Sequence, residues 1–466
     1  MHLKVLENHH TDTRVSDQAR NWKTDSYSAH VNPQWVRLLE LLQMNVQYTR
    51  CEGAELHTAD GNCFLDFLSG YCVHNLGHNH PKVIAALHDE LDRHGPAMLQ
   101  SHVPELAGTL AEKLCTLAGG RLSKVYFCSS GSEGIEAVIK FARAHTGRSG
   151  LLYCSGAFHG LTCGALSLMA DSSWAQDFGP LLPGSQDVPF NDLPELEKML
   201  ATREFAAFIV EPVQSEAGIR IPDDNYLQKA QSLCRRYGSL FVLDEVQTGM
   251  FRTGPFLAGQ HYQVDPDMVV LAKALSGGLV PCGAVLMTDA IYRSVYSCLS
   301  RAIVHTSTYS QNGLSMRAAL AALRVCEEEN LGDRAEMMGA LLRQELSAAL
   351  AGFEMVRQVR GLGMLTGIEF HSPKSLKLKV PFETFQIIHS AMFGQMLVMR
   401  IFRGHRILTQ LCGNNFLVLK AAPPLIVSQA QIERFVIAVR DVMEFIHSSG
   451  SFWRDALRLA HRTLNI

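Results

Sequence analysis

The chain has 466 residues, 47% of them hydrophobic and 19% charged, with a formal net charge of −3. That balance belongs to a soluble globular protein of two or three packed units. It gives no basis for binding nucleic acid or an anionic membrane surface. No apolar run reaches the length of a membrane span, and the first thirty residues lack the apolar core of a signal peptide.

Residues 1–31 are polar and aperiodic, and are expected to be a flexible segment. The run HVNPQWVRLLELLQ predicts a helix opening at Asn32–Pro33, because Asn caps well and Pro suits the first turn. AELHTADGNCFLDF predicts a hairpin turning at Asp60-Gly61, followed by a loop and a helix through PKVIAALHDEL. His78 and His80 in GHNHP read as turn formers, with no metal site expected. The twelve cysteines are scattered without metal-ligand spacing, which reads as free thiols in a reducing cytoplasm.

In KVYFCSSGSEGIEAVIKFARAHTGR a strand ends at Cys128 and a helix opens at Ser130, with Ser130 and Glu133 forming a capping box. Ile135, Val138, Ile139 and Ala142 make one apolar stripe, and Gly147 ends the helix. A Ser-Gly-Ser turn at a helix start offers backbone N–H groups and hydroxyls to an anion, although many capped helices hold none. Two further strand–loop units follow, LLYCSGAFHG and AAFIVEPVQSEAG.

Then come GSLFVLDEVQTGMFRTG and DPDMVVLAKALSGGLVPCGA. Asp244 closes one apolar run and Lys273 follows another. A charge there needs a partner. One reading is a buried Asp–Lys ion pair. The other is a lysine that forms a Schiff base with pyridoxal phosphate (PLP) and an acid that holds the pyridine nitrogen.

The wording DEVQTGMFRTG…AKALSGGLVPCGA resembles the signature of class III, fold-type I PLP-dependent aminotransferases, nearest to the putrescine and ornithine group. The resemblance runs from about Asn32 to His447. It implies that Lys273 is the Schiff-base lysine, with Asp244 its catalytic partner at the pyridine nitrogen. Ser130, Gly131 and Ser132 become the phosphate loop, although Gly134 and Ile135 depart from the usual Ala-Asn. Phe158 becomes the ring stacked on the cofactor, beside His159. Glu211, Val246 and Gln247 become further cofactor contacts. Ser307 and Thr308 match residues donated across a dimer interface to the neighbouring phosphate.

For substrate the resemblance offers Tyr71, Glu216 and Lys420. Tyr71 reads equally as a packed core aromatic. Lys420 stands where the family has a gate arginine that pairs with the glutamate matching Glu216, and Leu161 stands where many relatives carry another arginine. Arg220 is either an alternative anchor or a solvated side chain. Arg252 and Thr253 read as structural.

The implied fold is α/β: a large domain with a mostly parallel sheet flanked by helices, plus a smaller α+β domain. The expected divisions are 1–31 flexible, 32–75 packing with the small domain, 76–330 binding PLP, and 331–466 the small domain. The basic piece MRIFRGHRILTQ is expected to be a solvated loop. The implied activity is transfer of an amino group between a terminal (ω) amine and a 2-oxo acid in a cytoplasmic homodimer. An aminomutase or racemase on the same fold is the alternative.

Overall fold

The computed structural model describes residues 24–453, other than 100, 170, 171, 449 and 451. Residues 1–23 of the segment expected to be flexible lie outside the described residues, and Thr24–His30 forms a short helix. The expected helix follows as Pro33–Leu41, its Asn32 side chain accepting from the Trp35 N–H at 3.0 Å. Strands β1 (Tyr48–Glu52), β2 (Glu55–Thr58) and β3 (Cys63–Asp66) come next. β2 and β3 pair antiparallel about Gly61, whose φ of +82° suits glycine at the turn.

The central sheet contains β4 (Leu122–Cys128), β5 (Gly150–Cys154), β6 (Ser185–Val188), β7 (Phe205–Val210), β8 (Leu240–Asp244), β9 (Met268–Leu271) and β10 (Gly283–Thr288). Their order is β4-β10-β9-β8-β7-β5-β6. All neighbours run parallel except β10, which is antiparallel to both β4 and β9. Every residue of β5, β7, β8, β9 and β10 is buried, as near-continuous apolar strands between two helical layers should be. The pleat sorts them by period two. Phe208, Val210, Phe241, Leu243, Val269 and Leu271 pack into one core. Ala207, Ile209, Leu240, Val242, Met268 and Val270 pack into the core on the opposite face. Each large side chain so buried contributes about 1.5–3 kcal/mol.

A second unit carries β11 (Val356–Leu362), β12 (Leu365–Phe370), β13 (Ile407–Leu408), β14 (Gln410–Cys412) and β15 (Asn415–Ala421). Four of them form an antiparallel sheet in the order β11-β12-β15-β14. β13 pairs parallel with β3, so the sheet β1-β2-β3-β13 joins both ends of the chain. Ring stacking seals that junction: Phe64 on Phe402 at 4.8 Å and Phe67 on Phe435 at 4.2 Å.

The piece MRIFRGHRILTQ is not a solvated loop. It is the end of helix Met392–His405 followed by β13 and β14, with Ile401, Phe402 and Ile407 buried. Its basic residues are interleaved with apolar ones: Met396, Leu397, Val398, Ile401 and Phe402 of that helix are buried and pack into the core. Among the described residues no helix is long and apolar enough to cross a membrane.

Candidate active site

The parallel strands β5, β7, β8 and β9 end at one edge of the central sheet, where open α/β sheets bind ligands. Asp244 is the last residue of β8, paired in register with Val270 of β9, and Lys273 follows β9 by two positions. Lys273 has φ +48°, the left-handed region that a lysine adopts only when its surroundings force it. Asp244 and Lys273 line one cavity of about 400 Å³, within the usual size of a small-molecule site.

No buried Asp–Lys ion pair forms. Among the described residues the Lys273 amine makes neither a hydrogen bond nor an ion pair. Asp244 instead accepts from His159 Nδ1 at 2.7 Å on Oδ2 and from the Val246 N–H at 3.1 Å on Oδ1. Burial lowers the Lys273 pKa from its ordinary value, against the opposing pull of Cys72, Glu216 and Asp244. A larger share of an amine so placed is unprotonated than in a solvated lysine, and so free to act as nucleophile and base.

His159 is buried on every side. Burial alone would lower its pKa, but the Asp244 carboxylate on Nδ1 outweighs that and raises it. Its Nε2 is buried and has no hydrogen-bond partner among the described residues. Glu211, at the exit of β7, accepts the Phe158 N–H at 3.0 Å and the Ser215 N–H at 3.3 Å. Burial pushes the Glu211 carboxyl up to about 7, with Asp244 adding to the rise and His159 opposing it.

The helix expected after Ser130 runs from Gly131 to Thr146, and its N-terminus opens into the same cavity. Ser130 Oγ accepts the Glu133 N–H at 3.2 Å, while the Glu133 carboxylate takes the Ser129 N–H at 2.7 Å. The capping box is therefore displaced by one residue at its return bond. Gly147 closes the helix at φ +70°. A Cβ on Gly131 would meet Val246 Cγ2 at 2.9 Å, so only glycine keeps the mouth open there. The departure at Gly134 has a packing cause: a Cβ would meet Val270 Cγ1 at 2.7 Å, so the helix lies close against the sheet.

Tyr71, Glu216 and Lys420 form a wall of their own outside the lining of this cavity. Glu216 is buried and accepts from Lys420 Nζ, from Gln247 Nε2 at 2.9 Å and from the Gly413 N–H at 2.7 Å. Burial alone would raise its pKa, but the Lys420 ammonium wins and holds the carboxyl down to about 2. Lys420 is fully buried, and its pKa is raised by Glu216 against its own desolvation. Its ammonium lies 5.3 Å from the centre of the Tyr71 ring. Gln247 Oε1 accepts from Ser215 Oγ at 2.9 Å, which leaves one Nε2 hydrogen free.

Tyr71 is part of a run of four left-handed residues, with φ from +46° at Ser69 to +68° at Cys72. So strained a turn persists only when clamped. Asp66 Oδ1 takes the Leu68 and Ser69 N–H groups, each at 2.8 Å, and Ser69 Oγ donates to the Ala422 carbonyl at 2.6 Å. The buried Arg252 guanidinium donates to Ser69 Oγ, Asn75, Met364 and Pro423. Arg252 thus fastens this turn to the C-terminal sheet.

The structure does not bring every expected residue to the cavity. Ser307 and Thr308 lie outside its lining, on the segment before helix Gly313–Glu328. Leu161 is exposed. Arg220 faces the Phe190 ring at 5.4 Å and the Gln214 side chain. Residues that the motifs did not single out also line the cavity, among them Val73, Thr248 and the run Leu279–Cys282. Gly160 is another. Its φ is +124°, and any Cβ there would collide with the Ser132 side chain, so only glycine fits, a signal the His-Gly pair already carried.

An amine without a partner, a carboxylate aligned by a buried histidine, an aromatic wall and an open helix N-terminus match the reactive groups of PLP, and the residues present fit it. Fold and site together define a fold-type I PLP-dependent transferase. The sequence profile of class-III aminotransferases matches residues 40–443, and the chain belongs to that family, whose members are PLP-dependent. It is 34% identical over 457 residues to a putrescine aminotransferase from Pectobacterium atrosepticum, covering 94% of this chain and 93% of the relative. It is likewise 34% identical over 461 residues to the aminotransferase PigE of Serratia sp., covering 92% of this chain but 54% of PigE, so it spans about half of that protein's length. The ornithine aminotransferase of Toxoplasma gondii superposes with a TM-score of 0.78 at 27% identity, covering 94% of this chain and 99% of that one. An amine transaminase from an uncultivated Pseudomonas species, solved in its PLP-bound form, gives 0.76 at 27% identity, covering 86% and 95%.

Proposed function

We propose that this chain is an aminotransferase that moves an amino group between a terminal (ω) amine, or its aldehyde, and a 2-oxo acid in two half-reactions at one site. The observation that carries this reading is the Lys273 amine, unpaired, shifted towards its neutral form and opening on the cavity that Asp244 also lines. Lys273 would hold the cofactor's aldehyde carbon, Asp244 the pyridine nitrogen, and Ser130, Gly131 and Ser132 the phosphate. Phe158 and Val246 would flank the ring, and the free Nε2 hydrogen of Gln247 is available to the ring hydroxyl. When bound, PLP supplies an electron sink for the pair left by a broken C–H bond.

The His159 Nδ1 bond to Asp244 Oδ2 fixes the orientation of that carboxylate. Lys273 Nζ, its pKa lowered by burial, would take the proton from the amine-bearing carbon of the substrate and deliver it to the cofactor's aldehyde carbon. Glu211 fixes the Phe158 backbone and so the wall that excludes water on that side.

The substrate class follows from charges that are already paired. Glu216 and Lys420 neutralise each other, and Leu161 offers no cation. A wall whose cation is already paired favours an amine donor with no carboxylate near the reacting end, and the 2-oxo acid of the second half-reaction would have to draw Lys420 from Glu216. The name of the Pectobacterium relative, putrescine aminotransferase, agrees with that preference.

A homodimer is part of the proposal. Leu99, Val103, Leu299, Ile303 and Tyr309 are exposed on segments tied together by the Gly313 N–H to Ala97 carbonyl bond, and Ser307 and Thr308 lie among them. Such a patch supports burial against a second copy, which would bring both hydroxyls to the neighbouring phosphate. Twelve free cysteines support a cytoplasmic setting. The division into 32–75, 76–330 and 331–466 is proposed with the same roles as the sequence suggests.

The test is Lys273→Ala assayed with putrescine, cadaverine, ornithine, lysine, β-alanine and glutamate against 2-oxoglutarate and pyruvate. The parent is expected to absorb in the visible with PLP, to lose that band on adding an amine donor, and to transfer the group to an oxo acid. The variant should do none of these. Turnover of Lys273→Ala at the parent's rate would refute the assignment. Loss of the band without transfer to either oxo acid would favour the aminomutase or racemase.

A further inference from the structure

Asn414 sits in the two-residue turn between β14 and β15, far in sequence from the Phe158 loop, yet the two are joined by side-chain bonds. Its Nδ2 donates to the carbonyls of Gly156 and Ala157, each at 3.0 Å. Its Oδ1 accepts from Trp174 Nε1 at 2.9 Å. Two carbonyls on one side and an indole N–H on the other leave the amide a single orientation. The turn is anchored again beside the cavity: the Asn414 N–H donates to the Glu216 carbonyl at 2.9 Å, and the Gly413 N–H to the Glu216 carboxylate.

The carbonyls that Asn414 grips immediately precede Phe158. From the other side Phe158 gives its N–H to Glu211. The Trp174 ring stands edge-on to the Phe158 ring at 5.6 Å with an interplanar angle of 82°. Asn414 therefore holds the Phe158 loop by its backbone and, through Trp174, the Phe158 ring by its edge.

We propose that Asn414 is a positioning residue through which the C-terminal sheet sets the Phe158 wall of the cofactor cavity, with Trp174 as its second arm. The inference rests on the functional reading above. Aspartate would keep the acceptor and lose both donors, and leucine would lose all three bonds. Only an amide serves the two sides together.

The test uses the full-length protein with Asn414→Ala, Trp174→Ala and Trp174→Phe. Hydrogen exchange is followed in the apoprotein, and the PLP dissociation constant is measured by titration. Asn414→Ala strands two carbonyls and an indole N–H. Amides across Gly156–Gly160 are expected to exchange on the order of tenfold faster, and PLP to bind on the order of tenfold more weakly. Trp174→Ala should reproduce the weaker PLP binding. Trp174→Phe keeps the ring edge but removes the indole N–H from Asn414 Oδ1, and should weaken PLP binding less than Trp174→Ala does; parental affinity in Trp174→Phe would show that the indole bond is not part of the device.

Parental exchange at residues 156–160, or parental PLP affinity, in both Asn414→Ala and Trp174→Ala would overturn the proposal. So would faster exchange spread evenly over the C-terminal sheet, since that marks a general structural role. A parent protein that fails to bind PLP would instead sink the functional reading on which the proposal stands.

Discussion

Lys420→Met strands a carboxylate. Glu216 and Lys420 are both buried, and in the parent the ammonium compensates a charge that has left water. Without it Glu216 keeps two neutral donors, Gln247 Nε2 at 2.9 Å and the Gly413 N–H at 2.7 Å. Removing one partner of a buried pair costs about 3–5 kcal/mol, whereas replacing both by neutral groups of similar volume is often tolerated. The double variant Glu216→Gln/Lys420→Met is therefore expected to be more stable than Lys420→Met alone.

The pH dependence gives a second, signed expectation. In the parent the Glu216 carboxyl is held down to about 2, below its ordinary 4.5. Its contribution is fully present above that ordinary value and is lost as pH falls through about 2. In Lys420→Met burial, the largest influence, is opposed only by the Gln247 and Gly413 hydrogen bonds and raises the carboxyl instead. The variant then loses stability as pH climbs through the raised value. The difference between parent and variant should thus widen from pH 4 to pH 8. Urea midpoints at fixed protein and PLP concentrations measure it. A difference that does not change with pH, or a double variant less stable than the single, would refute the argument.

Gly131→Ala places a methyl at 2.9 Å from Val246 in the mouth of the cavity; about 1–3 kcal/mol of overpacking and a weaker PLP affinity are expected, read by thermal melts and PLP titration. Glu211→Gln addresses the carboxyl raised to about 7. In the parent that raised group favours the fold below the ordinary carboxyl value, and the benefit is lost as pH rises through about 7, an upper bound of about 3 kcal/mol by linkage. Apoprotein melts of Glu211→Gln should lack this slope between pH 4.5 and 8; an unchanged slope would place its origin elsewhere.

The sequence carries the parts of this protein that are written locally. Apolar runs ending in Asp244 and Lys273, the capped helix after Ser130 and the Asp60-Gly61 turn are legible because each depends on neighbours within a few positions. The resemblance adds the family and the cofactor, since DEVQTG and AKALSGG are constrained by chemistry at fixed points along the chain. The basic stretch around residue 400 misleads because its charges alternate with apolar residues, and only the fold shows that Ile401, Phe402 and Ile407 are buried.

Tertiary structure alone decides which charged and polar groups satisfy one another. Nothing local relates Asn414 to Gly156 or Arg252 to Ser69, because these bonds close over long sequence separations; the Lys420–Glu216 pair is legible only through the resemblance. The same distance hides that His159 occupies Asp244 while the Lys273 amine stays unpaired. Buried polar groups must find partners wherever the fold brings them, and the pattern of residues along a strand or helix does not record where that is.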